Sequence, residues 1–130
     1  VLTAGHCRGA ESVFVQESDD SSARGSAFRP YIVRRERRHP RYDSEGLDFD
    51  VTVVQLKNAV DNVTPVSLDD GAVMEDVDEG DDLMVVGWGS DSESGEGQTQ
   101  LHAAYVGYVE QSECKKRYSD FITDRMMCFG

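Results

Sequence analysis

The sequence predicts an all-β protein built from antiparallel strands, arranged as a sandwich or a barrel. Short runs rich in apolar and β-branched residues alternate with turn-forming clusters of Gly, Asp and Ser. One short helix is expected, and no internal repeat is visible. The strands are expected at residues 12–16, 31–33, 51–56, 83–86 and 101–109.

The first three strands follow from local composition. Residues 12–16 are a short apolar run, and the polar stretch Glu17–Ser26 after them is expected to be a surface loop. Pro30 stands just before residues 31–33, as at the start of a strand or on an edge strand. Residues 51–56 are rich in β-branched side chains, which favour strands.

The second half of the chain contains two further strands and the helix. Residues 83–86 form a compact apolar run ended by Gly87. Residues 101–109 contain little polarity, so we expect that strand to be covered on both faces. The helix is expected over Ser112–Tyr118, because Ser112 suits an N-cap and the basic last turn suits a helix C-terminus.

Charge narrows the classes of function. The chain carries 25 acidic and 13 basic residues, for a net charge of −12, which argues against nucleic-acid binding.

Residues 69–82 are strongly acidic and contain no Lys or Arg; we interpret them as a solvated connector, with a calcium loop or a salt-adapted surface as the alternative. The basic run Arg34–Arg38 is interpreted as a local partner for acidic surface, or alternatively as a docking exosite. No apolar run is long enough for a membrane helix, so no membrane partner is expected.

His6 and Asp50 are the candidate catalytic residues. His6 follows an apolar run and stands beside Cys7, and histidine is the usual proton carrier near neutral pH. Asp50 stands directly before the strand at 51–56, which places its carboxylate at a sheet edge. Asp48 would project to the same side of an extended segment and is the alternative. The competing interpretations are a packed strand-end histidine and a turn-forming aspartate.

Other reactive residues give weaker patterns. The three histidines lack metal-ligand spacing, so no metal and no cofactor are expected. His39 is interpreted as part of a structural turn and His102 as a strand residue. Neither Ser90 nor Ser94 lies in a Gly-x-Ser-x-Gly motif. Asn62 begins a glycosylation pattern, although the Pro65 that follows it disfavours use of the site.

Taken in order, several motifs resemble those of the chymotrypsin/trypsin-like serine proteases. Thr3-Ala4-Gly5-His6-Cys7 resembles the Thr-Ala-Ala-His-Cys box, and Asp50–Leu56 resembles the strand Asp-Ile-Ala-Leu-Leu-x-Leu. Further matches in the right order are His39-Pro40-Arg41-Tyr42, Thr64–Leu68, Gly87-Trp88-Gly89 and Ile122–Cys128. The resemblance covers essentially the whole chain.

The resemblance implies a double antiparallel β-barrel of the chymotrypsin-like type, incomplete at both ends. Residues 1–68 would be the remainder of the N-terminal barrel, 69–82 an acidic inter-barrel linker, and 83–130 the first half of the C-terminal barrel. Gly5 replaces the usual alanine and is expected to loosen the turn slightly. Phe129 stands where the family commonly has alanine, near the wall of the specificity pocket.

The implied activity is serine-type endopeptidase, with a Ser-His-Asp triad in which His6 is the base and Asp50 orients it. The segment Gly-Asp-Ser-Gly-Gly-Pro does not occur in the chain. The nucleophilic serine is therefore expected beyond Gly130, and this chain alone is expected to be inactive. The alternatives are an inactive protease homologue that acts as a binding or regulatory module, and an acidic binding module that only resembles a protease.

The cysteines support the same interpretation. The resemblance implies a disulfide between Cys114 and Cys128, and it places the partner of Cys7 upstream of Val1. Disulfides imply an oxidising compartment, so a secreted, extracellular protein is expected. Its expected partners are protein or peptide substrates and protein inhibitors, and it is expected to be a monomer.

Overall fold

The computed structural model describes residues 1–16, 28–61, 63–90, 92–93, 95, 97–98 and 100–130, and for residues 73, 74 and 120 the backbone alone. The expected loop at residues 17–26 lies outside these ranges, and so do Asn62 and Ser94. The chain divides into two compact units, Val1–Val66 and Ser67–Gly130.

The regular secondary structure in the described part of the chain is mainly β-strand. The first unit contains β1 (Leu2–Thr3), β2 (Ser12–Gln16), β3 (Phe28–Arg38) and β4 (Thr52–Leu56). The second contains α1 (Ala72–Glu75), β5 (Asp82–Gly87), β6 (His102–Val109), α2 (Gln111–Tyr118), a 3₁₀ turn (Ser119–Phe121) and β7 (Cys128–Phe129). Within these ranges every helix is too short to span a bilayer.

The strands of the first unit form one antiparallel sheet in the order β1-β4-β3-β2. Thr3 near the end of β1 lies opposite Thr52 at the start of β4. In an antiparallel pair the end of one strand lies beside the start of its neighbour. The residues just after β1 and just before β4 therefore meet at one edge of the sheet, although more than forty positions separate them in the chain.

Strand β3 is longer than the sequence predicts. It runs over 11 residues and includes the whole basic run Arg34–Arg38, with a register shift between Val33 and Arg35. Pairing with β2 on one side and β4 on the other sets this length, because both neighbours supply hydrogen bonds whatever the side chains. The basic side chains are exposed, so the charge carries no burial cost.

The buried part of the first unit is small and centres on β4. Val54 is 3% exposed and Tyr31 of β3 is 7% exposed. Thr52 is 2% exposed, and its hydroxyl oxygen has no hydrogen-bond partner among the described residues. A buried hydroxyl that loses its water without gaining a partner destabilises the folded state.

Thr52→Val is expected to stabilise the protein by about 1 kcal/mol, because valine keeps the shape and removes the unpaired hydroxyl. Urea unfolding measures this change. Thr3→Val is the matched control: Thr3 lies opposite Thr52 on β1 but is only half-buried, so water can reach its hydroxyl. A loss of stability in Thr52→Val larger than in Thr3→Val would show that the Thr52 hydroxyl has a partner.

The second unit contains an antiparallel sheet in the order β5-β6-β7. The backbone groups of Gly107 and Gly130 bond to each other in both directions, at 3.3 and 3.0 Å. The expectation that the strand at 101–109 is covered on both faces is wrong within the described chain, since Tyr105 is 72% exposed. Residues 102–105 are all exposed, so both faces of the first half of β6 are open within the described residues.

Helix α2 begins one residue earlier than the sequence predicts. The expected cap at Ser112 is wrong: its hydroxyl bonds the Glu110 carboxylate at 3.3 Å, and no side chain caps the helix. The amides of Glu113 and Cys114 donate instead to the Glu110 carbonyl. Cys114 is 1% exposed and forms a disulfide with Cys128 at the start of β7. This bond ties α2 to the edge of the sheet.

The acidic segment 69–82 contains α1, a four-residue helix that the sequence analysis missed. Its carboxylates organise local turns: Asp69 accepts the Gly71 amide at 3.1 Å, and Asp81 accepts the Asp78 amide at 2.9 Å. The segment belongs to the second compact unit. The assignment of residues 69–82 as an inter-barrel linker, and the barrel boundaries on either side, stay predictions.

Candidate active site

The sheet edge of the first unit brings His6 and Asp50 together. His6 follows β1 by three residues, and Asp50 precedes β4 by two. The His6 backbone amide donates to Oδ1 of Asp50 at 2.7 Å, and Nδ1 of the His6 ring lies 2.7 Å from Oδ2 of the same carboxylate. One carboxylate thus binds both the main chain and the ring of one histidine, which fixes the direction of the imidazole.

The exposure of the two side chains suits proton transfer. The His6 side chain is 57% exposed, whereas that of Asp50 is 25% exposed. Asp50 is an acceptor when ionised, so the ring nitrogen facing it carries the proton. In the neutral ring, Nε2 then holds a free lone pair and can accept a proton from a third group.

Asp50 is held in its charged form. The hydrogen bond from the His6 side chain is the main cause that lowers the pKa of Asp50 below its usual 3.8, and the His6 and Gly5 amides add to it against partial desolvation. A carboxyl with a lowered folded-state pKa stabilises the fold above its unfolded pKa, and this contribution is lost as the pH falls through the folded value. The carboxylate is therefore ionised throughout the neutral range.

Gly5 allows the close approach of the Asp50 carboxylate. A Cβ at this position would lie 2.9 Å from Cδ2 of Tyr42 and 3.0 Å from Oδ1 of Asp50. Gly5 is buried. The neighbouring ring and carboxylate fill the space that a methyl group would take, and the expectation that glycine loosens the turn stays a prediction.

The backbone before Asp50 is unusual. Leu47 and Phe49 adopt left-handed conformations, with φ of 53° and 52°, and the Val51 amide donates to the Phe49 carbonyl at 2.7 Å across Asp50. A left-handed conformation costs a non-glycine residue about 1–2 kcal/mol. The side chain of Asp50 is thus presented by a tight, strained turn.

The other candidates lie elsewhere. Asp48 accepts the Phe49 amide at 2.9 Å, so the observed partner of His6 is Asp50 and not the alternative at position 48. His39 lies in the turn after β3, and His102 is exposed on β6 in the second unit. Cys7 is an exposed free thiol in the structure.

Three residues near this edge were not predicted as part of it. The Glu36 carboxylate accepts the amides of Gly9 and Ala10 at 3.2 and 3.0 Å, which fastens the loop after His6 to β3. Tyr42 packs against Gly5, and the Arg38 guanidinium lies 4.6 Å from the centre of its ring. The His-Pro-x-Tyr motif was the only sequence signal for Tyr42, and Glu36 gave none.

A metal is a poor fit to this geometry. Both carboxylate oxygens of Asp50 are occupied by His6, and no third acidic, histidine or cysteine side chain joins them in the described part of the chain. The pair is arranged to hold a proton at Nδ1 and to leave Nε2 open. That is the arrangement a general base requires.

The family model described as Trypsin matches residues 1–130. The chain belongs to the trypsin family. It is 38% identical to Trypsin 5G1 of Aedes aegypti over 135 aligned residues, covering 100% of this chain and 50% of that protein. It is 30% identical to a trypsin of Simulium vittatum, covering 100% of this chain and 54% of that protein. The chain thus spans about half the length of these relatives.

The fold of this trypsin-family chain also matches solved structures. One described as "Structure of GrC" superposes with a TM-score of 0.81 at 23% identity, over 99% of this chain and 58% of the other. The predicted family and the predicted chymotrypsin-like fold class, with its antiparallel sheets, are confirmed.

Proposed function

We propose that the protein carrying this sequence is a serine endopeptidase in which His6 is the general base and Asp50 orients it. The observation that supports this most directly is the double contact of Asp50 with His6, through Oδ1 to the amide and Oδ2 to Nδ1, each at 2.7 Å. Membership of the trypsin family supports the same reaction.

The proposed reaction uses the open nitrogen of His6. Nε2 removes the proton of a serine hydroxyl as the oxygen attacks the peptide carbonyl, and the imidazolium then gives that proton to the leaving amine. Asp50 keeps the proton on Nδ1 and stabilises the imidazolium, and it stays ionised throughout, as established for this class of triad. The lowered pKa of Asp50 agrees with that role.

We propose that the nucleophile is a serine outside residues 1–130. No Gly-Asp-Ser-Gly-Gly-Pro segment occurs in this chain, and the chain spans about half the length of its relatives. Two triad members without the third leave no nucleophile for acyl transfer, so residues 1–130 alone do not turn over substrate.

The remaining proposals concern the setting of the enzyme. The disulfide between Cys114 and Cys128 supports secretion, since such bonds persist in oxidising compartments. Protein or peptide chains are the proposed substrates, protein inhibitors are further partners, and the protein is proposed to be a monomer. The relatives named trypsin support proteolysis as the process.

The test compares residues 1–130, the full-length protein and its His6→Ala variant in hydrolysis of a peptide ester. We expect turnover by the full-length protein alone. Turnover by residues 1–130 that disappears with His6→Ala would refute the proposal of an external serine. A folded full-length protein without turnover would favour the alternative, an inactive homologue that acts as a binding or regulatory module.

A further inference from the structure

His39 contacts the residues on both sides of Asp50. Its ring lies parallel to the ring of Phe49, with centroids 4.5 Å apart and an angle of 4° between the planes. Its backbone amide donates to the Val51 carbonyl at 2.9 Å. His39 therefore contacts the side chain of the residue before Asp50 and the main chain of the residue after it.

Arg41 completes this contact. Its guanidinium carbon lies 4.1 Å from the centre of the Phe49 ring, and its amide donates to Nδ1 of His39 at 3.2 Å. The hydrogen bond from the Arg41 backbone amide fixes the orientation of the His39 ring. The Arg41 guanidinium holds the Phe49 ring by a cation–π contact. Because Nδ1 of His39 accepts this backbone hydrogen bond, the ring is suited to a structural role.

Phe49 needs such support, because its φ of 52° is a conformation that a bulky residue adopts only when its surroundings hold it there. The tight turn from Phe49 to Val51 is centred on Asp50. Any relaxation of Phe49 toward an ordinary conformation would rotate the Asp50 carboxylate away from His6.

We propose that His39 and Phe49 are positioning residues for the candidate catalytic pair. Their stacked rings hold the left-handed backbone at Phe49 and thereby aim both oxygens of Asp50 at His6. This inference rests on the proposed function, because positioning matters only if His6 and Asp50 act in catalysis. It assigns a role to an aromatic ring at position 49 and to the histidine of the His-Pro-x-Tyr motif.

The test uses the full-length protein. Phe49→Ala is expected to lower kcat about 100-fold with little change in KM, the size of effect that follows a displacement of about 1 Å in a catalytic group. Phe49→Tyr keeps the stacked ring and is expected to retain activity. Leu47→Ala is the matched control, since Leu47 shares the left-handed backbone and is half exposed, and its side chain has no aromatic ring to stack on His39; it is expected to keep the parental kcat.

A second readout follows the geometry itself. In ¹⁵N-histidine-labelled protein, the low-field proton on His6 Nδ1 is expected in the parent and in Phe49→Tyr, and it is expected to broaden or disappear in Phe49→Ala. A residue needed only for folding would change stability without moving this signal in the folded protein. If Phe49→Ala does not fold, His39→Leu decides, because it removes the flat ring and keeps the amide that binds Val51.

The outcomes separate this inference from the proposed function. Folded Phe49→Ala or His39→Leu protein with the parental kcat and the parental Nδ1 signal would overturn the inference, while His6→Ala and Asp50→Asn remained inactive. If His6→Ala and Asp50→Asn also kept full activity, the proposed function would fall with it.

Discussion

Asp50→Asn is expected to lower the kcat of the full-length protein about 10⁴-fold, the loss seen when the orienting aspartate of a serine-protease triad becomes asparagine. The asparagine amide can donate a hydrogen bond to Nδ1, which would move the ring proton to Nε2 and remove the lone pair needed there. Steady-state hydrolysis of a peptide ester measures kcat and KM separately. KM is expected to change little, because both oxygens of Asp50 are engaged by His6.

Asp48→Asn is the matched control for this variant. It makes the same chemical change two residues away, at a carboxylate that accepts a hydrogen bond from the Phe49 amide. Its amide oxygen can still accept that hydrogen bond, so kcat is expected to stay near the parental value. A large loss of kcat in Asp48→Asn with little loss in Asp50→Asn would show that Asp48, and not Asp50, orients His6.

Removal of the disulfide is expected to have the next largest effect. The double variant Cys114→Ala with Cys128→Ala is expected to lose about 3 kcal/mol of unfolding free energy, the chain-entropy value for a loop of this length. The bond joins residues 14 positions apart, and it fastens α2 to β7, the outer strand of its sheet. Urea unfolding followed by circular dichroism measures the change.

Reduction supplies the control for the disulfide. In residues 1–130, a mild reductant is expected to destabilise the parent sequence by the same amount as the double substitution and to leave the double variant unchanged, since Cys7 is then the only cysteine of this segment. An unchanged unfolding free energy on both reduction and substitution would show that the bond contributes nothing to stability.

Most of what could be predicted from the sequence about the fold and the site came from short motifs in a fixed order. The small-residue turn around His6 and the apolar strand after Asp50 are local patterns, and each predicts a strand end without knowledge of the rest of the fold. Antiparallel pairing of β1 with β4 then places the two strand ends side by side. The contact between His6 and Asp50 therefore follows from these two local patterns and from the register of β1 against β4.

Residues whose role depends on pairing or on backbone conformation could not be predicted in this way. The basic run at the end of β3 appears as polar surface in the sequence, yet pairing with β4 keeps it within an 11-residue strand, whose first residues, 28–32, pair with β2. Ser112 resembles a helix cap in the sequence, but its hydroxyl donates to the Glu110 carboxylate and caps no backbone amide. Phe49 gives no signal, because neither its left-handed φ nor its contact with His39 is encoded by local composition.

The most direct test of the central claim is to find which histidine a peptidyl chloromethyl ketone alkylates in the full-length protein. The chain offers three histidines, and among the contacts of the described residues only His6 has Nδ1 engaged by a carboxylate in a way that leaves Nε2 open. Mass spectrometry of the inactivated protein is expected to locate one alkyl group on His6, in step with the loss of activity. Inactivation with the label on His39 or His102, and none on His6, would contradict the assignment of His6 as the base.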